Sequence, residues 1–143
     1  MIVVGVDGSD GAKTALEFAA AEAALRRTPV RIVSAWSVPP AAGYGSGDFG
    51  PPVLDPAAWD ALRALAQKAA DDALAQLKEL QPGVEGEAIA AEGQPVDVLL
   101  TKSGDAELIV VGRRGLGGFK SLLLGSVSQQ IVQHAPCPVV VVR

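Results

Sequence analysis

At 143 residues, with 49% hydrophobic content and only 4% aromatics, the chain has the size of one domain, residues 1–143, with a core of Ala, Val and Leu. The net charge of −4 and a pI near 4.9, with no basic stripe outside one short turn, argue against a nucleic-acid partner. A single cysteine excludes an intramolecular disulfide and a cysteine-based zinc cluster, and Cys137 between two prolines reads as a small buried apolar residue.

Ile2 to Val6 is apolar throughout and reads as a first strand, with Asp7-Gly8-Ser9-Asp10-Gly11 as the turn out of it. Asp7 interrupts any signal-like apolar segment, and no apolar run reaches the ~18 residues that a membrane span needs, so a soluble, cytoplasmic protein with no membrane partner is expected. Ser9 or Asp10 can cap a helix running to about Arg27, in which Ala12, Leu16, Ala19 and Ala23 share one face. Pro29 closes it, and Val30 to Trp36 reads as a second strand, so the unit implies a right-handed parallel crossover.

Ser37 to Leu54 is rich in Gly and Pro and long for a loop, either a flap over the site or a tether. Its Gly45-Ser-Gly47-Asp-Phe-Gly50 matches the dinucleotide fingerprint literally, but Pro51-Pro52 prevents a helix from opening there, and the match reads as accidental. Asp55-Pro56 starts a long amphipathic helix carrying Leu62, Leu65, Ala69, Ala73 and Leu77, ended by Pro82-Gly83. Val84 to Ala91, with Glu85 and Glu87 outward, suggests a half-exposed edge strand. Pro95 opens a short helix with Val96, Leu99 and Leu100 inward, ended by Gly104.

Leu108 to Val111 is a short β-branched and leucine run, the pattern of a strand buried on both faces. The turn after it holds Gly112, Gly115, Gly117 and Gly118 with Arg113, Arg114 and Lys120 and no acid, so backbone N–H groups and positive charge meet there. Ser126 can cap a helix to about His134, whose free N–H groups face the same place, and Pro138 to Val142 is the fifth strand. Strands alternating with helices give a doubly wound parallel sheet of order 3-2-1-4-5, helices on both faces, with ligands beyond the carboxyl ends of the strands.

The spacing Gly112, two residues, Gly115, nine residues, Gly125-Ser126 resembles the nucleotide signature of the universal stress protein family. Val3 to Ser9 and Ala135 to Val142 extend the resemblance over nearly the whole chain. It implies a Rossmann-like fold of the adenine nucleotide alpha hydrolase type, with ATP as ligand and a role in stress response. Around the phosphates it places Gly112, Arg114, Gly115, Gly125, Ser126, Val127 and Ser128. It puts the nucleoside against Asp7 and, by alignment of strand ends, Ala35, where family members often have His-Val in place of Ser34-Ala35. From residue type alone Asp7 is equally a turn former or a helix cap.

Other nucleotide chemistries fit less well. A flavin or dinucleotide site would set phosphate after the first strand, where Asp7 and Asp10 repel it. A phospho-receiver needs an aspartate ending strand three, where Ala90-Ala91-Glu92 stands, and no Walker-type lysine follows a glycine at the right spacing. No nucleophile–base pair can be nominated, and His134 reads as a helix-end cation, so no catalytic residue is assigned and at most weak ATP hydrolysis is expected. Mg²⁺ would be held through the phosphates, since no carboxylate cage is present. AMP or a cyclic nucleotide remains an alternative ligand, and a nucleotide-free interaction module an alternative function. The valine strand at 138–142 lies at a sheet edge and bears no charge, which with the resemblance predicts a homodimer through it.

Overall fold

The computed structural model describes residues 1–37, 56–116 and 123–143. Five strands alternate with four helices: β1 (Ile2–Gly5), α1 (Asp10–Arg26), β2 (Val30–Trp36), α2 (Pro56–Leu80), β3 (Gly86–Glu92), α3 (Pro95–Lys102), β4 (Leu108–Gly112), α4 (Ser126–His134) and β5 (Val139–Val142). All neighbours pair in parallel, in the order β3-β2-β1-β4-β5. The expected doubly wound α/β sheet is therefore present. The fingerprint Gly45 to Gly50, the cap Asp55 and the turn residue Lys120 fall outside the described residues.

Alternation along the central strands builds two cores. Ile2, Val4, Val30, Ile32, Leu108 and Val110 face α1 and α2, packing on Ala12, Leu16, Ala19, Ala70 and Leu77. Val3, Val33, Ile109 and Val111 face α3 and α4, packing on Val98, Leu99 and Ile131. Such strands are apolar at every position because both faces are covered. The helices stay close because the residues against the sheet are small: Ala15, Ala19 and Ala23 have no exposed surface.

Several element ends differ slightly from the sequence pattern, each for a local reason. β5 begins at Val139, one residue late, because Pro138 has no N–H to donate, although its carbonyl accepts from Ile109 N at 3.0 Å. β3 begins at Gly86, where Leu77 of α2 crosses so tightly that a Cβ would lie 2.5 Å from it. α3 stops at Lys102, before Gly104, because the buried Ser103 turns its hydroxyl back onto Leu99 O at 2.6 Å. At the amino end of the sheet Arg31 donates to Glu87 at 2.6 Å, to Asp105 at 2.7 Å and to the Lys102 carbonyl at 2.8 Å, tying β2 to β3 and to the end of α3. That guanidinium holds the Asp105 carboxyl below its ordinary value. Cys137 is half-buried against the second core, and burial pushes its thiol up.

Candidate nucleotide site

β1 and β4 lie side by side at the centre of the sheet, and the chain leaves their carboxyl ends towards opposite faces. A crevice opens where the winding reverses. It is a cavity of about 580 Å³, within the range typical of small-molecule sites.

Two turns form its rim. In the first, Ser9 is the N-cap of α1: its hydroxyl accepts from Ala12 N at 3.2 Å, and its carbonyl accepts from Lys13 N at 3.1 Å. Gly8, at φ 83, makes the reversal that brings Ser9 into place. The Asp7 carboxylate folds into the same turn, Oδ1 accepting from Ser9 N at 3.0 Å and from Ser9 Oγ at 2.5 Å, while Oδ2 accepts from Leu116 N at 2.9 Å across the crevice. Asp7 is thus a turn residue and also part of the cavity wall.

The second turn leaves β4. Arg113 N donates to Val142 O at 2.7 Å, Gly125 N returns to Arg113 O at 2.8 Å, and Ser128 Oγ shares its proton between Arg113 O and Gly125 O, each at 3.0 Å. These bonds close the excursion at its base. The N-cap of α4 is Gly125, which provides no side-chain acceptor, and Ser126 is its first helical residue, so the expectation that Ser126 caps this helix is corrected. The N–H groups of the first turn then lack both an intrahelical acceptor and a cap, and the residues carrying them line the cavity. Arg113 and Arg114 add positive charge on the same wall.

All nine residues expected at the site, Asp7, Ala35, Gly112, Arg114, Gly115, Gly125, Ser126, Val127 and Ser128, border this one cavity. His134 is exposed in the last turn of α4 and does not. Sequence reasoning missed the apolar half of the wall, Val6, Val33, Pro95, Leu99 and Val111, because strand and helix patterning marks them only as core. Arg113 and Leu116 were also passed over as site residues.

The glycines serve a different purpose from the one their number suggests. Among the described glycines only Gly8 and Gly93 have positive φ. Gly112 is needed because a Cβ would lie 2.6 Å from the Gly11 carbonyl oxygen and Gly115 because a Cβ would collide with the Asp7 carboxylate, while at Gly125 a Cβ would make only a tight contact with Arg113 O at 3.3 Å. Close approach of protein to protein, more than backbone freedom, demands them.

A model of the universal stress protein family matches residues 1–143. A universal stress protein of Thermus aquaticus is 39% identical over 144 residues, covering 99% of this chain and 97% of its own. One from Mycobacterium tuberculosis (strain H37Rv) is 33% identical over 142 residues, covering 99% of this chain but 44% of its own, so this chain spans under half the length of that relative. Among solved structures, the universal stress protein from Archaeoglobus fulgidus in complex with dAMP superimposes with a TM-score of 0.69 at 28% identity over 99% of this chain and 96% of its own. A universal stress protein in complex with cAMP gives 0.68 at 25% identity over 99% and 95%.

Proposed function

The chain belongs to the universal stress protein family, and on that premise we propose that residues 1–143 form a domain that binds an adenine nucleotide, ATP, in the crevice between β1 and β4 and acts as a nucleotide-responsive regulatory or protective protein in stress. The observation that carries this reading is the division of the cavity into two halves. Val6, Val33, Ala35, Leu99 and Val111 make an apolar slot suited to a base, while the uncapped start of α4 and two arginines make a cradle suited to an anion. The nucleoside lies between Asp7 and Ala35, and the phosphates against Gly112, Arg114, Gly115, Gly125, Ser126, Val127 and Ser128. The nucleotides in the dAMP and cAMP complexes of related proteins support the class of ligand.

These residues bind and orient; none stands ready to take a proton from water. No group of three His, Cys, Asp or Glu side chains able to hold a metal occurs among the described residues, so Mg²⁺ entering with ATP is held through the phosphates. Hydrolysis is consequently slow or absent. Native mass spectrometry of protein purified without added nucleotide, followed by calorimetry with ATP, AMP and cAMP, tests the assignment. ATP is expected to bind with the highest affinity; absence of binding by all three would overturn the reading.

Homodimerisation through β5 is part of the same proposal. Ile109 N and Arg113 N bond to Pro138 O and Val142 O, so by the alternation of a parallel ladder Val139 and Val141 turn their N–H and C=O groups to the open edge. The strand is entirely valine and only half-buried in the single chain. Val141→Pro removes an outward donor and leaves the β4 ladder intact, so it is expected to yield monomers in sedimentation. A monomeric unmodified protein at micromolar concentration would sink the idea.

A further inference from the structure

We propose that Asp7 is a positioning residue whose carboxylate straps the Gly115–Leu116 turn to the cap of α1 and so holds the anion-binding turn in its ligand-ready shape; the proposal rests on the nucleotide reading above. The strap joins segments 109 residues apart in sequence: Leu116 N donates to Oδ2 at 2.9 Å, and the other oxygen is anchored by Ser9 N at 3.0 Å and Ser9 Oγ at 2.5 Å. Ser9 is itself fixed as the N-cap of a 17-residue helix, so the anchor is rigid.

Among the described residues, no other hydrogen bond holds Leu116. The residue is 77% exposed, so packing against the described residues does not place it. Gly115 lies flat on the carboxylate, with no room for a Cβ between them. The electrostatics point the same way. A carboxylate beside a phosphate cradle opposes an incoming anion, and its presence there makes sense if it shapes the turn before the ligand arrives, removing an ordering cost from binding.

The test compares Asp7→Asn and Asp7→Ala with the unmodified protein, using ATP and adenosine as separate probes. Adenosine does not need the phosphate turn. Loss of a charge-assisted strap is expected to weaken ATP on the order of tenfold more than adenosine, whose own loss reports the nucleoside contact of Asp7 alone. Equal losses for both probes would mean that Asp7 acts only through its contact with the nucleoside, and tighter ATP binding would mean that the carboxylate only competes with phosphate; either result overturns the proposal. Asp7→Asn is nearly isosteric, so it stands should the alanine variant fail to fold. Amide exchange by NMR on ligand-free protein gives a readout independent of nucleotide: the Leu116 amide should be protected in the unmodified protein and exchange about tenfold faster in Asp7→Asn. A Leu116 amide that exchanges equally fast in both overturns the strap. Failure of the unmodified protein to bind ATP would sink the nucleotide reading instead, and the Leu116 amide would still decide the strap.

Discussion

The two turns that face each other across the crevice begin alike and end as opposites. Each follows a central strand, contains glycine and runs into a helix. The turn after β1 is acidic, and its helix is capped by Ser9, whose hydroxyl and carbonyl take up the N–H groups of Ala12 and Lys13. The turn after β4 is basic, and its helix begins at Gly125 with no side-chain cap. The Ser9 hydroxyl takes one N–H group of the first turn of α1, and Asp7 and Asp10 put negative charge beside the rest, whereas the first turn of α4 has no side-chain cap and arginines beside it. On the nucleotide reading proposed above, the phosphate end of the ligand would go to α4, although α1 is the longer helix.

The largest effect should come from the contact between the two turns. In Gly115→Ala the first side-chain atom already meets the Asp7 carboxylate, so the alanine variant should lose ATP binding nearly as fully as Gly115→Val. Either the Asp7 carboxylate leaves its bonds to Ser9 and Leu116 or the turn moves, at a cost of about 1–3 kcal/mol, and the displaced turn no longer matches the ligand. Gly104→Ala, where a Cβ meets nothing within 4 Å, is the control and should bind normally. Calorimetry on the three variants decides the matter. If Gly115→Ala bound ATP unchanged, the two turns would not depend on each other.

The same contrast explains what was legible in the sequence. Strand runs such as Ile2 to Val6 and Leu108 to Val111, the proline stops and the charge of each turn are local, and local patterns carried the sheet order and the two turns that rim the cavity. The spacing Gly112, Gly115, Gly125 pointed to a loop that borders the cavity, for a partly different reason. It marked room for a ligand, whereas the glycines also accommodate Gly11, Asp7 and Arg113, contacts that join distant stretches of chain. The link from Asp7 to Leu116 was hidden for the same cause, since residue type gives Asp7 as a turn former and nothing in a linear pattern names its second partner. Val33 and Leu99 read as core because the cavity wall is the end of the core.

A smaller effect should follow from loosening the base of the β4 turn. Ser128 is 1% exposed, and its hydroxyl serves Arg113 O and Gly125 O. Both carbonyls keep another donor in Ser128→Ala, Gly125 N for the first and Gln129 N for the second. The loss is therefore one modest hydrogen bond, about 1 kcal/mol. ATP affinity should fall about twofold, the other half of that cost appearing as lower thermal stability if the turn is partly ordered without ligand. Unchanged affinity and stability together would remove Ser128 from the turn's support.

The smallest effect on binding should come from the capped side. Ser9→Ala deletes the acceptor for Ala12 N and one of the two bonds from Ser9 to Asp7, but leaves Ser9 N on Oδ1 and Leu116 N on Oδ2. Loss of an N-cap serine typically costs about 1 kcal/mol, so the melting temperature should drop by a few degrees. ATP affinity should change less than about twofold, because an N–H freed at α1 faces a turn that already carries Asp7 and Asp10 and offers an anion little. The measurement pairs thermal unfolding with calorimetry on one variant. A lower melting temperature with constant affinity keeps the turns distinct, the first structural and the second for the ligand. Were ATP to bind several times more tightly once Ser9 is gone, the uncovered start of α1 would be competing for phosphate, and the cap would be what directs the anion to α4.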